Sequence, residues 1–172
     1  MPQLRIFKFG GASVRDAKGL RNIGYILKLY AGESLVIVIS AMGKTTHGLE
    51  KVVENYFSKS GLALACLNEI EKYHIRVLDE LFSEKNHAVF KEVINIFEKL
   101  QFVLKSPPCM NYDYEYDRIV SYGELISTLI VSHYLNSAGI RNRLFDVRQL
   151  LKTDDTYREA KVNWQKTIED FR

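Results

Sequence analysis

The sequence predicts an α/β protein built on a parallel sheet. Three observations carry that prediction. A short apolar run, LRIFKF (4–9), stops at Gly10-Gly11. A continuous β-branched run, SLVIVIS (34–40), has the pattern of a strand buried on both faces. Between them lies a segment with helical periodicity, and strand–helix–strand over about forty residues is a βαβ unit with a right-handed crossover.

Each element follows from its residues. Ser13 and Asp16 fit a capping box, and Val14, Ala17, Leu20, Ile23 and Leu27 recur at helical spacing behind them. A second helix starts near Thr45 or Thr46, with Leu49, Val52, Val53 and Tyr56 inward. Two longer amphipathic helices come next. One carries Leu62, Cys66, Ile70, Tyr73, Val77 and Leu81. The other carries Val89, Val93, Phe97, Leu100 and Leu104 and is ended by Pro107-Pro108. NYDYEYD (111–117) is expected as a loop, followed by a helix with Ile119, Tyr122, Ile126, Leu129 and Ile130 inside and Gly139 at its C-cap. RLFDV (143–147) is a candidate third strand, and the polar remainder has weak helical character around 164–171.

The bulk numbers set the class. The 172 residues suffice for one domain with a sizeable core, and 47% hydrophobic with 26% charged residues is ordinary for a globular protein. A net charge of +3, evenly spread, argues against nucleic acid or an anionic membrane as partner. Cys66 and Cys109 lack metal or redox spacing. No stretch has the length of a membrane span and no signal-peptide pattern opens the chain, so the expectation is a soluble, cytoplasmic protein.

Three stretches carry chemistry. In RIFKFGGASV (5–14), Lys8 falls near the C-terminal end of a parallel strand, where open α/β sheets place ligands. Gly10 and Gly11 allow close backbone approach to a phosphate, and the following helix points its N–H groups into the same space. A lysine on an edge strand with a glycine turn is the plain alternative. SAMGKTTHG (40–48) tempts a P-loop reading, but the required earlier glycine is Val38, inside the strand, so that reading fails. What remains is a strand end rich in small and hydroxylated residues, suited to a small carboxylate or amine, with a simple helix cap as the compatible alternative. In DRIVSYGELIST (117–128), Gly123 costs a helix about 1 kcal/mol against alanine and therefore suggests close packing or an approaching ligand. Glu124 follows it directly, although a lone helical glutamate is ordinarily a surface charge. The four histidines do not pair at metal spacing and most are expected on the surface. Asp154-Asp155 lacks a third ligand, and no metal site is expected. No GxGxxG follows either strand, which disfavours a dinucleotide-binding enzyme.

Taken together and in order, KFGGASV, SAMGKTTHG and SYGELIST closely resemble the N-terminal part of aspartate kinases, and FDVRQLLKTDDTYREAKVNW (145–164) resembles the segment that follows there. The resemblance implies a three-layer α/β/α sandwich with a mainly parallel sheet. It implies transfer of the ATP γ-phosphoryl group to the side-chain carboxylate of L-aspartate, the first step toward lysine, threonine and methionine, with ATP and Mg²⁺ as the substrate complex and a homo-oligomeric enzyme. Carried over by motif, Lys8 would be catalytic and neutralise the transferring phosphoryl group. Phe9, Gly10, Gly11, Ala12 and Ser13 would contact phosphates. Ser40, Ala41 and Thr46 would line the aspartate pocket, and Glu124 would hold the α-ammonium group. His47 stands where the family often has asparagine or aspartate, and Ala12 where threonine is common. The nucleotide-binding half and the regulatory ACT domains that follow in the family have no counterpart in residues 1–172. The expectation is therefore an N-terminal, aspartate-binding part of an amino-acid kinase domain that has little activity by itself. The rival expectations are a different carboxylate acceptor, or a non-catalytic kinase-like module that binds a metabolite.

Overall fold

A computed structural model describes residues 4–171. Strands β1 (Leu4–Phe9) and β2 (Ser34–Ile39) pair in parallel, with Lys8 opposite Val38 and Phe9 opposite Ile39. Helix α1 (Ala17–Lys28) connects them, which fulfils the βαβ expectation. Its start differs in detail. Asp16, rather than Ser13, is the cap: its carboxylate accepts the Gly19 N–H at 2.7 Å. A side chain at Gly19 would overlap the Ser13 carbonyl oxygen, so the turn leading into α1 requires a glycine there.

Five further helices complete the body: α2 (Thr45–Phe57), α3 (Ala63–Leu81), α4 (Ala88–Lys105), α5 (Tyr112–Val120) and α6 (Tyr122–Ser137). They enclose a continuous apolar core that includes Leu20, Ile23, Leu49, Val52, Leu67, Leu78, Phe97, Ile126 and Ile130. Phe7, Leu35 and Ile37 pack against that core from one face of the sheet, and Phe9 and Ile39 are part of it. The other face is open. Ile6 is 69% and Val38 47% exposed, so β2 is not buried on both faces as its β-branched run predicts. The described sheet has two strands, and the apolar core lies against one of its faces.

Several elements depart from expectation for identifiable reasons. NYDYEYD is helical. Asn111 caps α5 by accepting the Tyr114 N–H at 3.1 Å, Asp113 and Glu115 occupy the first turn, and Arg118 occupies the last. The buried stripe of α3 is Ala63, Leu67, Ile70, His74, Val77 and Leu78, rotated from the predicted one; Leu62 is exposed. The predicted stripe omits His74, which is fully buried. RLFDV forms no strand. The Asp146 carboxylate accepts the Arg148 N–H at 3.1 Å and pairs with its guanidinium, which sets a 3-10 turn at Val147–Gln149 in place of a ladder. A last helix, α7 (Trp164–Asp170), matches the weak helical signal at the chain's end.

Candidate functional site

Two loops leave the C-terminal edge of the sheet. The first, Gly10–Asp16, follows β1. Its Ser13 N–H closes a turn onto the Gly10 carbonyl at 2.8 Å, while the Gly11 and Ala12 N–H groups have no backbone partner among the described residues. The second, Ser40–Lys44, follows β2. Ser40 N–H donates to the Phe9 carbonyl at 3.1 Å, and Gly43 N–H to the Gly11 carbonyl at 3.0 Å, so the loops run edge to edge. Contact is close enough to dictate sequence. A Cβ at Gly11 would lie 2.8 Å from the Ala41 carbonyl oxygen, and Gly43 has φ +53°, which a glycine adopts without strain.

The third stretch arrives on α6. A Cβ at Gly123 would lie 3.1 Å from Ala41 Cβ and 3.5 Å from Thr45 Cγ2, so of the two expected reasons for this glycine, close packing and an approaching ligand, the structure shows the first. That approach puts Glu124, in the first turn of α6, within reach of the second loop. Ala41 N–H donates to Glu124 Oε1 at 3.3 Å. One turn on, the buried Ser127 hydroxyl donates to the Ser40 carbonyl at 2.8 Å.

Lys8 is exposed on the open face of the sheet, and its Nζ lies 3.6 Å from where a Cβ would stand on Gly10. Glu124 approaches the same sheet edge from the helical side. Lysine and glutamate thus flank the two loops from opposite faces. Of the other predicted residues, Phe9 buries its ring in the core, leaving only its backbone at the site, and its carbonyl is taken by Ser40. Ala12 and Ser13 are exposed, and Ser40 and Thr46 are half-buried. The predicted residues gather at one edge.

Three residues support the loops: Thr45, which belongs to the SAMGKTTHG stretch, and Tyr73 and His74, which lie outside the three motifs. Thr45, nearly fully buried, places its hydroxyl oxygen 3.4 Å from His74 Nε2. His74 is fully buried rather than on the surface, and burial pushes its imidazole down to about 4. The neighbouring Tyr73 hydroxyl donates to the Arg15 carbonyl in the first loop. Sequence gave one usable sign of these roles: Tyr73 and His74 fall one helical turn beyond Ile70 in an otherwise apolar stripe.

The site is thus a glycine-lined loop at the carboxyl edge of a parallel sheet, flanked by a cation and by an anchored carboxylate, the edge at which open α/β sheets place ligands. The chain belongs to the amino acid kinase family, whose model matches residues 3–171. It is similar to Aspartokinase 1, chloroplastic, of Arabidopsis thaliana, with 34% identity over 87% of this chain and 27% of that protein. It is also similar to Lysine-sensitive aspartokinase 3 of Escherichia coli, with 26% identity over 93% of this chain and 34% of that protein. The crystal structure of E. coli aspartokinase III in complex with aspartate and ADP shares the fold with a TM-score of 0.84 at 24% identity, over 97% of this chain and 36% of that one. The chain spans 27% to 36% of the length of these three proteins.

Proposed function

We propose that this chain is the acceptor-binding part of an ATP-dependent aspartate kinase. The observation that carries the proposal is the Ala41 N–H to Glu124 Oε1 bond, which ties the SYGEL helix to the two loops carrying KFGG and SAMGKTT. The relatives' names support aspartate as acceptor.

The chemistry suits these groups. A carboxylate acceptor is already ionised at pH 7, so attack on phosphorus needs no general base. Its oxygen forms the new P–O bond as the bond to the ADP oxygen breaks, giving β-aspartyl phosphate. What the protein adds is position and charge stabilisation. In this proposal Lys8 meets negative charge on the transferring group, and the unpartnered Gly11 and Ala12 N–H groups meet phosphate oxygens, with Gly10 and Ser13 beside them. Ser40, Ala41 and Thr46 contact the amino acid. One oxygen of Glu124 is engaged by Ala41, and the other faces the α-ammonium group. MgATP is a substrate here and supplies the phosphoryl group when bound. A cytoplasmic, homo-oligomeric enzyme without nucleic-acid or membrane partners belongs to the same proposal. Both cysteines are free thiols, in keeping with a reducing compartment.

Calorimetry with L-aspartate tests the reading. Binding to this chain is expected, with no binding of L-glutamate, and Glu124→Ala should abolish it. Lys8→Ala should leave aspartate binding intact while removing ATP-dependent hydroxamate formation from any longer protein that contains the chain. Absence of L-aspartate binding at millimolar concentration, or equal binding of glutamate, would overturn the assignment.

A further inference from the structure

Both loops of the site rest on the same two consecutive residues of α3. Tyr73 reaches the first loop through the Arg15 carbonyl, and His74 reaches the second through Thr45. The chemistry at His74 is determined by its other nitrogen. Nδ1 lies 2.8 Å from the Ile70 carbonyl oxygen, which can only accept, so Nδ1 carries the hydrogen. The buried ring is neutral, and Nε2 is therefore an acceptor. The Thr45 hydroxyl, the polar group 3.4 Å away, must donate to it. The rings of Tyr73 and Phe97, at centroid distances of 5.0 and 5.7 Å, box the imidazole in place.

Thr45 is the first residue of α2 and closes the second loop by donating its N–H to the Met42 carbonyl at 2.9 Å. The loop then has five outside anchors: Phe9 and Ser127 through Ser40, Gly11 through Gly43, Glu124 through Ala41, and His74 through Thr45. Four of them come from the first strand and its loop or from α6. The fifth comes from a helix that contributes nothing else to the second loop's hydrogen bonds.

We propose that His74, as the Nδ1–H tautomer, is a positioning residue that holds the Ser40–Lys44 loop in its acceptor-binding shape through the hydroxyl of Thr45, the helix residue that follows it. The link to aspartate rests on the function proposed above; the link to the loop's geometry does not. The two are tested separately.

Imidazole ¹⁵N shifts of the chain read the tautomer directly: Nε2 is expected unprotonated and Nδ1 protonated at pH 7. The reverse would overturn the proposal without any ligand. Hydrogen exchange of the Ala41 and Gly43 amides reads the loop. Loss of one hydrogen bond is expected to speed exchange about fivefold in Thr45→Val and in His74→Phe. The double variant should be no faster than either single variant. His74→Gln, whose amide oxygen can accept from Thr45, should restore near-native exchange; circular dichroism confirms that each variant is folded. Native exchange in His74→Phe, or multiplicative effects in the double variant, would overturn the role. If a variant fails to fold, the tautomer measurement on the unaltered chain still decides. Aspartate affinity should fall by the same factor in both single variants. If the unaltered chain binds no aspartate, the acceptor assignment fails while the exchange pattern still judges His74.

Discussion

Acidification should unload a specific part of this protein's stability through His74. Burial pushes the imidazole from its ordinary 6.5 down to about 4, opposed only by the Ile70 carbonyl. Above pH 6.5 the ring is neutral in both folded and unfolded chains, and its contribution is intact. Between 6.5 and 4 the unfolded chain takes up a proton that the folded one refuses, so stability falls as pH falls. Below 4 the contribution is gone. Integrated across that window, the loss is about 3 kcal/mol. Urea unfolding followed by circular dichroism at pH 7, 6, 5 and 4 measures it. Asp16, Glu50, Asp146 and Asp154 all sit below the ordinary carboxylate range, so acid also destabilises through them. Comparison with His74→Gln removes that shared background. The unaltered chain should lose about 3 kcal/mol more than the variant between pH 7 and 4. Parallel curves for the two proteins would refute a neutral buried histidine, and with it the donor assignment of Thr45.

Three other outcomes follow from the geometry. Gly11→Ala places a methyl group 2.8 Å from a backbone oxygen that cannot rotate away, so the two loops must part. Destabilisation of about 1–3 kcal/mol is expected in urea unfolding, with faster exchange of the Gly43 amide. Glu115 is fully buried and takes the Cys109 N–H at 2.9 Å and the Arg118 guanidinium at 3.3 Å. Glu115→Ala removes the charged acceptor that both share and should cost about 1.5–3 kcal/mol in the same assay. Glu124→Gln keeps an oxygen for the Ala41 N–H but loses the charge. Loop exchange should stay native while L-aspartate binding is lost, whereas Glu124→Ala should lose both.

What sequence disclosed, and what it hid, divides along physical lines. Local patterns were sufficient for β1, α1 and β2, because the alternation from strand to helix to strand is written in contiguous residues. The glycine at 123 was also legible as a close approach, since its cost in a helix needs a compensating contact, whereas Gly11, expected to make room for a phosphate, stands against the Ala41 carbonyl of the second loop. Residue neighbours across the chain were not legible. Nothing local marks His74 as the partner of Thr45, 29 positions earlier, and a histidine in an amphipathic helix is read as polar surface. The helix α5 was hidden for a related reason. Its alternating tyrosines and acids lack an apolar stripe, so capping by Asn111 and burial of Glu115 and Ile119 had to be seen in three dimensions. The same limit applies to RLFDV, where one carboxylate bonded to the next turn outweighs five residues of strand-like pattern.

The site also shows why its charged groups are arranged across the sheet edge rather than beside one another. An adjacent Lys8 and Glu124 would pair, and each would lose the capacity to meet a ligand of opposite charge. Here the lysine rises from the open face and the glutamate from the helical face, with two backbone loops between them. Glu124 finds local support instead. It lies in the first turn of α6, where the helix dipole favours a carboxylate, and an amide N–H fixes one of its oxygens. Lys8 forms no ion pair among the described residues. Each charge is thereby left free for a ligand group of opposite sign, and the function proposed above uses the two separately: the lysine for phosphoryl charge, and the unengaged oxygen of Glu124 for an ammonium group.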